Sequence, residues 1–186
     1  MIAVLLFIIG FQFIYETPEN ISTETNIQSM EGGNFLRFVF IGSSSCVYSN
    51  SEETHNMVIE LKEYFKKLAN KNDLKFLTTG ISKDIHAEVG TKYLQKTKPY
   101  DEIIAGASWY NLGISHYVWD VIQGEAATPQ IVITKTKYKK SSTDASITRK
   151  EDLLHRSVGI QDIRFLHRLS KKSKNKEIQE MFNNSL

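Results

Sequence analysis

The feature that most constrains the fold is a change of hydrophobic period on the two sides of Cys46. Residues 35–41, FLRFVFI, form a short and almost continuous apolar run, which is typical of a central strand covered on both faces. After the cysteine, apolar side chains recur with the spacing of one helix face, at Met57, Leu61, Tyr64, Phe65 and Leu68. Residues 74–81, LKFLTTGI, fit a second strand. The order strand, helix, strand predicts a parallel pair and therefore an α/β fold.

The middle of the chain continues this alternation. A helix is predicted over 82–95, a short strand over 102–104 and a further helix over 113–121. A strand is predicted over 128–138 because Pro129 stands at its start, the one place where a proline fits a strand easily. The alternating pattern ITKTKYKK at its end predicts a sheet edge or a hairpin partner.

The last part of the chain, residues 139–186, is basic. It carries 11 Lys and Arg against 6 Asp and Glu, although the whole chain has a net charge of only +2. Thr148 and Glu151 have the spacing of a helix capping box, which predicts that a helix begins there. The apolar stripe of this helix would be Leu153, Leu154, Ile160, Ile163, Leu166 and Leu169, with Gly159 as a break point.

We therefore predict a basic helical C-terminal extension over 139–186. It would either lie on an anionic membrane surface or pack on the domain with its charges in water. Beyond its charge, nothing in the extension favours nucleic acid, so no nucleic-acid partner is expected.

The N-terminal residues are strongly apolar. Ile2 to Tyr15 is a nearly unbroken apolar run of 14 residues, shorter than the roughly 20 that a membrane-spanning helix needs. Residues 1–15 fit a signal peptide or membrane anchor, and the polar residues 16–34 fit a linker. The alternative is a buried strand or helix at the start of the domain. The first interpretation predicts an exported, membrane-tethered or periplasmic protein.

Several kinds of site are excluded by the residues that the chain holds. A single cysteine excludes an internal disulfide and a cysteine-rich zinc site. The sequence contains no glycine-rich phosphate loop, dinucleotide fingerprint or His-Glu-x-x-His pattern, and its five histidines are scattered. We therefore expect neither a metal nor a cofactor.

Cys46 is the strongest candidate for a reactive group. A cysteine between the end of a strand and the start of a helix meets exposed N–H groups and the positive helix pole, which favour the thiolate. The carboxyl edge of a parallel sheet is also where α/β proteins place their sites. The alternative is that Cys46 is a small buried apolar residue.

Two stretches resemble the signatures of the thioredoxin superfamily. Residues 46–49, CVYS, follow a strand and precede a helix, like the Cys-x-x-Cys turn of that superfamily with serine as the last residue. Residues 127–133, ATPQIVI, resemble its second signature, a Thr-Pro bond, commonly cis, that opens a strand beside the cysteine. The resemblance covers residues 35–138. It implies a thioredoxin-like fold with a central mixed sheet flanked by helices and an insertion before the proline-containing strand.

Two features resemble the exported, membrane-tethered thiol-disulfide proteins of the superfamily. One is the long separation between the two signatures, and the other is the apolar run at the N-terminus. The resemblance implies that Cys46 is the nucleophile, with Ser43, Ser45 and Ser49 as hydrogen-bonding neighbours and with Thr128 and Pro129 shaping the site. Because serine cannot resolve a mixed disulfide, it implies monothiol chemistry on protein clients or low-molecular-weight thiols.

Two alternatives remain beside monothiol chemistry. One is a thioredoxin-fold binding or scaffold module without catalysis, in which Cys46 is incidental. The other is a peroxiredoxin-like peroxidase, whose Pro-x-x-x-Thr-x-x-Cys pattern is half matched, with Ser43 in place of the threonine and Val39 in place of the proline.

The insertion of residues 100–127 carries further candidates. Trp109, Asp101 and Glu102 could form a client-binding surface, and a carboxylate near the thiol could shuttle protons. The alternative is that the tryptophans of the insertion are packing residues.

Overall fold

A computed structural model describes residues 33–140 and 147–172 of the chain. The proposed signal peptide or anchor, residues 1–15, and nearly all of the proposed linker, residues 16–34, therefore lie outside the described residues. Gly33 and Asn34 belong to the first strand rather than to a linker. None of the helices in the described ranges has both the length and the apolar character needed to cross a membrane.

Five strands and four α-helices make up the described residues. The strands are β1 (Gly33–Gly42), β2 (Lys75–Ser82), β3 (Glu102–Ile104), β4 (Gln130–Lys140) and β5 (Ile147–Val158). The helices are α1 (Glu52–Lys71), α2 (Ala87–Leu94), α3 (Leu112–Ile114) and α4 (Gly159–Ser170). Shorter elements are a π-helix (Ser115–Asp120) and the 3₁₀ turns Gln95–Thr97 and Ser108–Tyr110. The predicted strand over 102–104 is confirmed, and the helix predicted over 113–121 corresponds to α3 and the π-helix.

The strands form one mixed sheet in the order β3-β2-β1-β4-β5. β1 pairs in parallel with β2, and β2 with β3, whereas β1 pairs with β4 and β4 with β5 in antiparallel fashion. The expected βαβ unit is therefore present, and β1 is the central strand, as its continuous apolar pattern predicted. The alternating end of β4 is a hairpin partner, since β5 pairs along it.

Helices cover both faces of the sheet. On one face, Leu36, Phe38 and Phe40 of β1 pack with the apolar sides of α1 and α4 in the larger core. On the other face, Val39 and Ile41 pack with the segment from α3 to the residues after the π-helix. The strand alternates between these two cores because successive side chains point to opposite sides of the sheet. The molecule is thus an α/β protein with a five-stranded mixed sheet flanked by helices.

The prediction of a helix that begins at Thr148 is wrong over residues 148–158. These residues form β5, whose pairing with β4 extends from Gln130 opposite Val158 to Lys140 opposite Ile147. A capping box is a local pattern, and here the hydrogen-bonding edge of β4 decides the structure instead. Among the described residues of the extension, 147–158 complete the sheet and the helix α4 begins at Gly159.

Candidate functional site

The turn of residues 43–50, called the Cys46 turn below, leaves β1 at the carboxyl edge of the parallel strands. Gly42, the last residue of β1, lies opposite Ser82, the last residue of β2. On the other side of β1, Ile41 lies opposite Gln130, so the residues just before β4 also reach this edge. Segments from three strands therefore meet around the cysteine, as expected for the edge where α/β folds place their sites.

The Cys46 sulfur lies between two of these segments. Its S–H group donates to the carbonyl oxygen of Thr128 at 3.4 Å, and the N–H group of Ser49 donates to the sulfur at 3.5 Å. The peptide bond between Thr128 and Pro129 is cis. The structure thus brings together Cys46, Ser49, Thr128 and Pro129, four of the residues that the sequence proposed for the site.

The surroundings of the thiol favour its ionised form. The half-buried position of the sulfur on its own raises the pKa of Cys46. The hydroxyl groups of Ser49 and Thr128 and the N–H groups of Ser49 and Tyr48 outweigh this effect, so the pKa of Cys46 is lowered from its ordinary value. A lowered pKa increases the fraction of thiolate, which is the nucleophilic form.

The N-terminus of α1 contributes less to the surroundings of the thiol than the sequence predicted. The helix begins at Glu52, where the side chain of Ser51 accepts a hydrogen bond from the Thr54 N–H group at 3.2 Å. Cys46 lies in a separate turn before the helix, closed by a hydrogen bond from the Asn50 N–H group to the Cys46 carbonyl at 2.9 Å. The donors that lower the pKa of Cys46 therefore belong to this turn and to Thr128, and not to the first turn of the helix.

Ser49 is the last residue of the CVYS stretch, three residues after Cys46. Its side chain is fully buried. Its hydroxyl has no partner with hydrogen-bonding geometry among the described residues, yet it is near enough to the sulfur to lower the pKa of Cys46. This hydroxyl is therefore free to donate to a thiolate when the proton of Cys46 leaves.

Ser43 and Ser45 serve the turn rather than the sulfur. The Ser43 hydroxyl bonds to the Ser45 hydroxyl at 2.9 Å and donates to Asp84 at 3.2 Å. The Ser43 carbonyl also accepts from the Cys46 N–H group at 3.3 Å. These contacts fix the path of the chain before the cysteine.

Asp84, which the sequence analysis did not propose, anchors the same turn to the end of β2. Its carboxylate accepts from the Ser44 N–H group at 3.1 Å, the Ser44 hydroxyl at 2.7 Å and the Ser82 hydroxyl at 2.6 Å, besides Ser43. Burial raises the pKa of Asp84, but these bonds outweigh burial and lower it. The signal that could have identified this residue is its place two residues after β2, at the edge where Cys46 follows β1.

Gln130 and Arg156 hold the segment that leads to Pro129. The side-chain amide of Gln130 donates to the carbonyls of Glu125 and Ala127, both at 2.6 Å. Arg156 on β5 donates to the Gln130 side chain at 2.7 Å and to the carbonyl of Ile122 at 2.9 Å. No local pattern marks these residues, because their partners are distant in the sequence or are backbone atoms.

The two carboxylates proposed from the insertion bond to other parts of the sheet. Glu102 forms an ion pair with Arg37. It lies opposite Thr79, which is three residues, or roughly 10 Å, from the end of β2 at the sheet edge. Asp101 accepts from the N–H and hydroxyl groups of Thr78 at 2.7 and 2.8 Å. Neither carboxylate has a described bond to the Cys46 turn. Trp109 is partly buried against the second core and touches Trp119 edge to face, as a packing residue does.

Within residues 33–140 and 147–172, no group of His, Cys, Asp and Glu side chains could hold a metal ion. Comparison of the chain with protein-family models, curated proteins and solved structures gives no significant match. The class that the fold and site define is therefore an α/β protein with a half-buried thiol at the carboxyl edge of a mixed sheet.

Proposed function

We propose that this chain is a thioredoxin-fold protein that carries out monothiol thiol-disulfide chemistry through Cys46. One observation carries the proposal: the sulfur lies between the Ser49 N–H group and the Thr128 carbonyl that precedes the cis Pro129. The strand order, with β1 between a parallel and an antiparallel neighbour, supports the same assignment.

The reaction takes place in two exchanges. The Cys46 thiolate attacks one sulfur of an external disulfide, forms a mixed disulfide with it and releases the other sulfur as a thiolate. An external thiolate then attacks the mixed disulfide, releases Cys46 and leaves as part of a new disulfide. No electrons are gained or lost overall, and the external thiol performs the step that a second cysteine would perform in place of Ser49.

The clients belong to one of two classes, exported proteins or low-molecular-weight thiols. The N-terminal sequence supports an exported or membrane-tethered location for this chemistry. Val47 and Tyr48, which follow the cysteine, have 82% and 60% of their surface exposed. Exposed apolar side chains beside the thiol favour a protein client, whose backbone would pair with the segment at Thr128.

A pH titration of alkylation tests the proposal. We expect iodoacetamide to modify Cys46 with a midpoint below about 8.5, the ordinary pKa of a cysteine. With oxidised glutathione as the probe, mass spectrometry should show one mixed disulfide on the wild-type chain and none on Cys46→Ser.

The variant Ser49→Cys provides a sharper comparison. Because residue 49 lies beside the sulfur, the new thiol should resolve the mixed disulfide, which then no longer accumulates. Slow alkylation with a midpoint at or above 8.5, or a mixed disulfide that persists in Ser49→Cys, would contradict the proposal.

A non-catalytic binding module is the second candidate, and the same exposed side chains, Val47 and Tyr48, favour it. It predicts client binding that survives Cys46→Ser. Peroxidase activity has less support, because the Ser43 hydroxyl bonds to Asp84 and Ser45, away from the sulfur.

A further inference from the structure

Tyr93 reaches the Cys46 turn from a distant part of the chain. It lies near the end of α2, and only 3% of its surface is exposed. Its hydroxyl donates to the carbonyl oxygen of Ser49 at 2.9 Å. Burial, followed by the nearby Tyr100, raises the pKa of Tyr93, so the group remains a neutral donor at all ordinary pH values.

The same side chain also packs against the other end of the turn. A Cβ atom at Gly42 would lie 2.2 Å from the Tyr93 hydroxyl oxygen and 2.9 Å from its ring. Only glycine at the end of β1 leaves room for the tyrosine. Tyr93 therefore contacts both Gly42, which precedes the turn, and Ser49, which lies within it.

Ser49 connects this contact to the sulfur. Its carbonyl is held by Tyr93, its N–H group donates to Cys46 and its fully buried hydroxyl has no described partner of hydrogen-bonding geometry. A buried, unpartnered hydroxyl beside a thiol is an independent sign that the position is built to meet a charged sulfur, because such groups are otherwise paired.

We propose that Tyr93 is a positioning residue for Cys46, holding Ser49 so that its N–H and hydroxyl groups face the sulfur. This role rests on the proposed thiol chemistry and adds to it a residue that does not touch the sulfur. Tyr93 thereby holds the turn at Ser49, while the Thr54 hydroxyl of α1 holds the Tyr48 carbonyl at 2.7 Å.

The variant Tyr93→Phe tests this role, because it removes the hydroxyl and keeps the ring. The readout is the pH profile of iodoacetamide alkylation of Cys46, with the unfolding midpoint measured in parallel. We expect the alkylation midpoint to rise, so that the rate at pH 7 falls about threefold or more while the rate well above the midpoint is unchanged.

Tyr100→Phe is the matched control. Tyr100 is a second tyrosine packed against the same core, and its hydroxyl bonds to the Thr97 hydroxyl at 2.6 Å rather than to the turn. We expect it to lower stability like Tyr93→Phe but to leave the alkylation profile unchanged. In a Ser49→Ala background, the effect of Tyr93→Phe on the profile should shrink, since one of the two groups that it positions is gone.

The outcomes separate the two proposals. An ordinary midpoint in the wild-type chain would contradict the proposed function and this role together. A lowered wild-type midpoint that Tyr93→Phe leaves in place, or that Tyr100→Phe raises equally, would overturn the role of Tyr93 alone.

Discussion

Two polar regions along β1 hold charge in different ways. Near the middle of the strand, Arg37 and Glu151 are almost completely buried and lie within a cluster of opposite charges. At the carboxyl end, Cys46 and Asp84 are stabilised by hydroxyl and N–H groups. Arg37 and Glu151 therefore balance each other's charge, whereas the groups that lower the pKa of Cys46 and Asp84 are all uncharged.

The Arg37–Glu151 cluster is extensively bonded. Arg37 donates to Thr79 at 2.6 Å and also bonds to Glu102 and Tyr138. Glu151 accepts from Tyr117 at 3.0 Å and from Thr136 at 3.3 Å, bonds to His116 at 2.9 Å, and also bonds to Arg149 and Thr134. The cluster joins all five strands and the π-helix, so its loss should affect the whole sheet.

The largest expected effect follows from Glu151→Gln. The change leaves Arg37 and Arg149 beside a neutral group, and breaking a buried ion pair typically costs about 3–5 kcal/mol. Denaturation in urea should show this loss in the free energy of unfolding. The alkylation profile of Cys46 should not change, because the turn has its own donors.

The control is Glu60→Gln, which removes an exposed partner of His167 and Lys171. Exposed pairs contribute little, so a small loss is expected. Equal losses in Glu151→Gln and Glu60→Gln, or a shifted Cys46 profile in Glu151→Gln, would show that the two regions do not differ as described.

Asp84→Asn should have an intermediate effect. The amide replaces one acceptor oxygen by an NH₂ group, which cannot accept from Ser44 or Ser82, and an unsatisfied buried group costs about 1–3 kcal/mol. Hydrogen exchange should then speed up at the amides of the Cys46 turn. In Asp101→Asn, where the carboxylate bonds to Thr78, these amides should remain as protected as in the wild type. Unchanged exchange in Asp84→Asn would contradict the anchoring role.

The smallest expected effect is on how the free energy of unfolding depends on pH in acid. The pKa of Glu151 is raised by burial but lowered overall by Thr134, Arg149, His116 and Arg37, and that of Asp84 is also lowered overall. As the pH falls, the two carboxylates take up protons in the unfolded chain at a higher pH than in the folded chain. The stability that they contribute above about pH 4 is therefore lost as the pH falls through their lower folded-state pKa values. Both carboxylates should therefore contribute to the loss of stability below about pH 4.

Urea denaturation between pH 3 and pH 6 measures this dependence. The slope of unfolding free energy against pH should be shallower in Glu151→Gln and in Asp84→Asn than in the wild type. The exposed-residue variant Glu88→Gln serves as the control. A wild-type slope in both of the buried variants would argue against the assigned charge states.

Much of the fold could be predicted from local patterns. The continuous apolar run of β1 and the helical spacing of α1 are properties of neighbouring residues, and both elements form where the sequence placed them. The prediction was wrong at β5, where Thr148 and Glu151 match a local helix signal. In the structure β5 pairs with β4, and Glu151 is buried against Arg37. A tertiary partner there overrides the local preference.

The candidate site shows the same division. Cys46, Ser49, Thr128 and Pro129 could be proposed because each lies in a short pattern with a recognisable order. Tyr93 and Arg156 could not, because each acts on the site across a sequence distance that no pattern records. Asp84 is marked only by its place shortly after β2.

The sequence by itself determined that a lone cysteine would follow a buried strand and that a serine would stand three residues after it. Only the tertiary structure decided which groups surround the sulfur: a carbonyl 82 residues away and a serine held by a tyrosine 44 residues away. The physical reason is that alternation and spacing depend on adjacent residues, whereas the pKa of a thiol depends on every donor that the fold brings within a few ångströms.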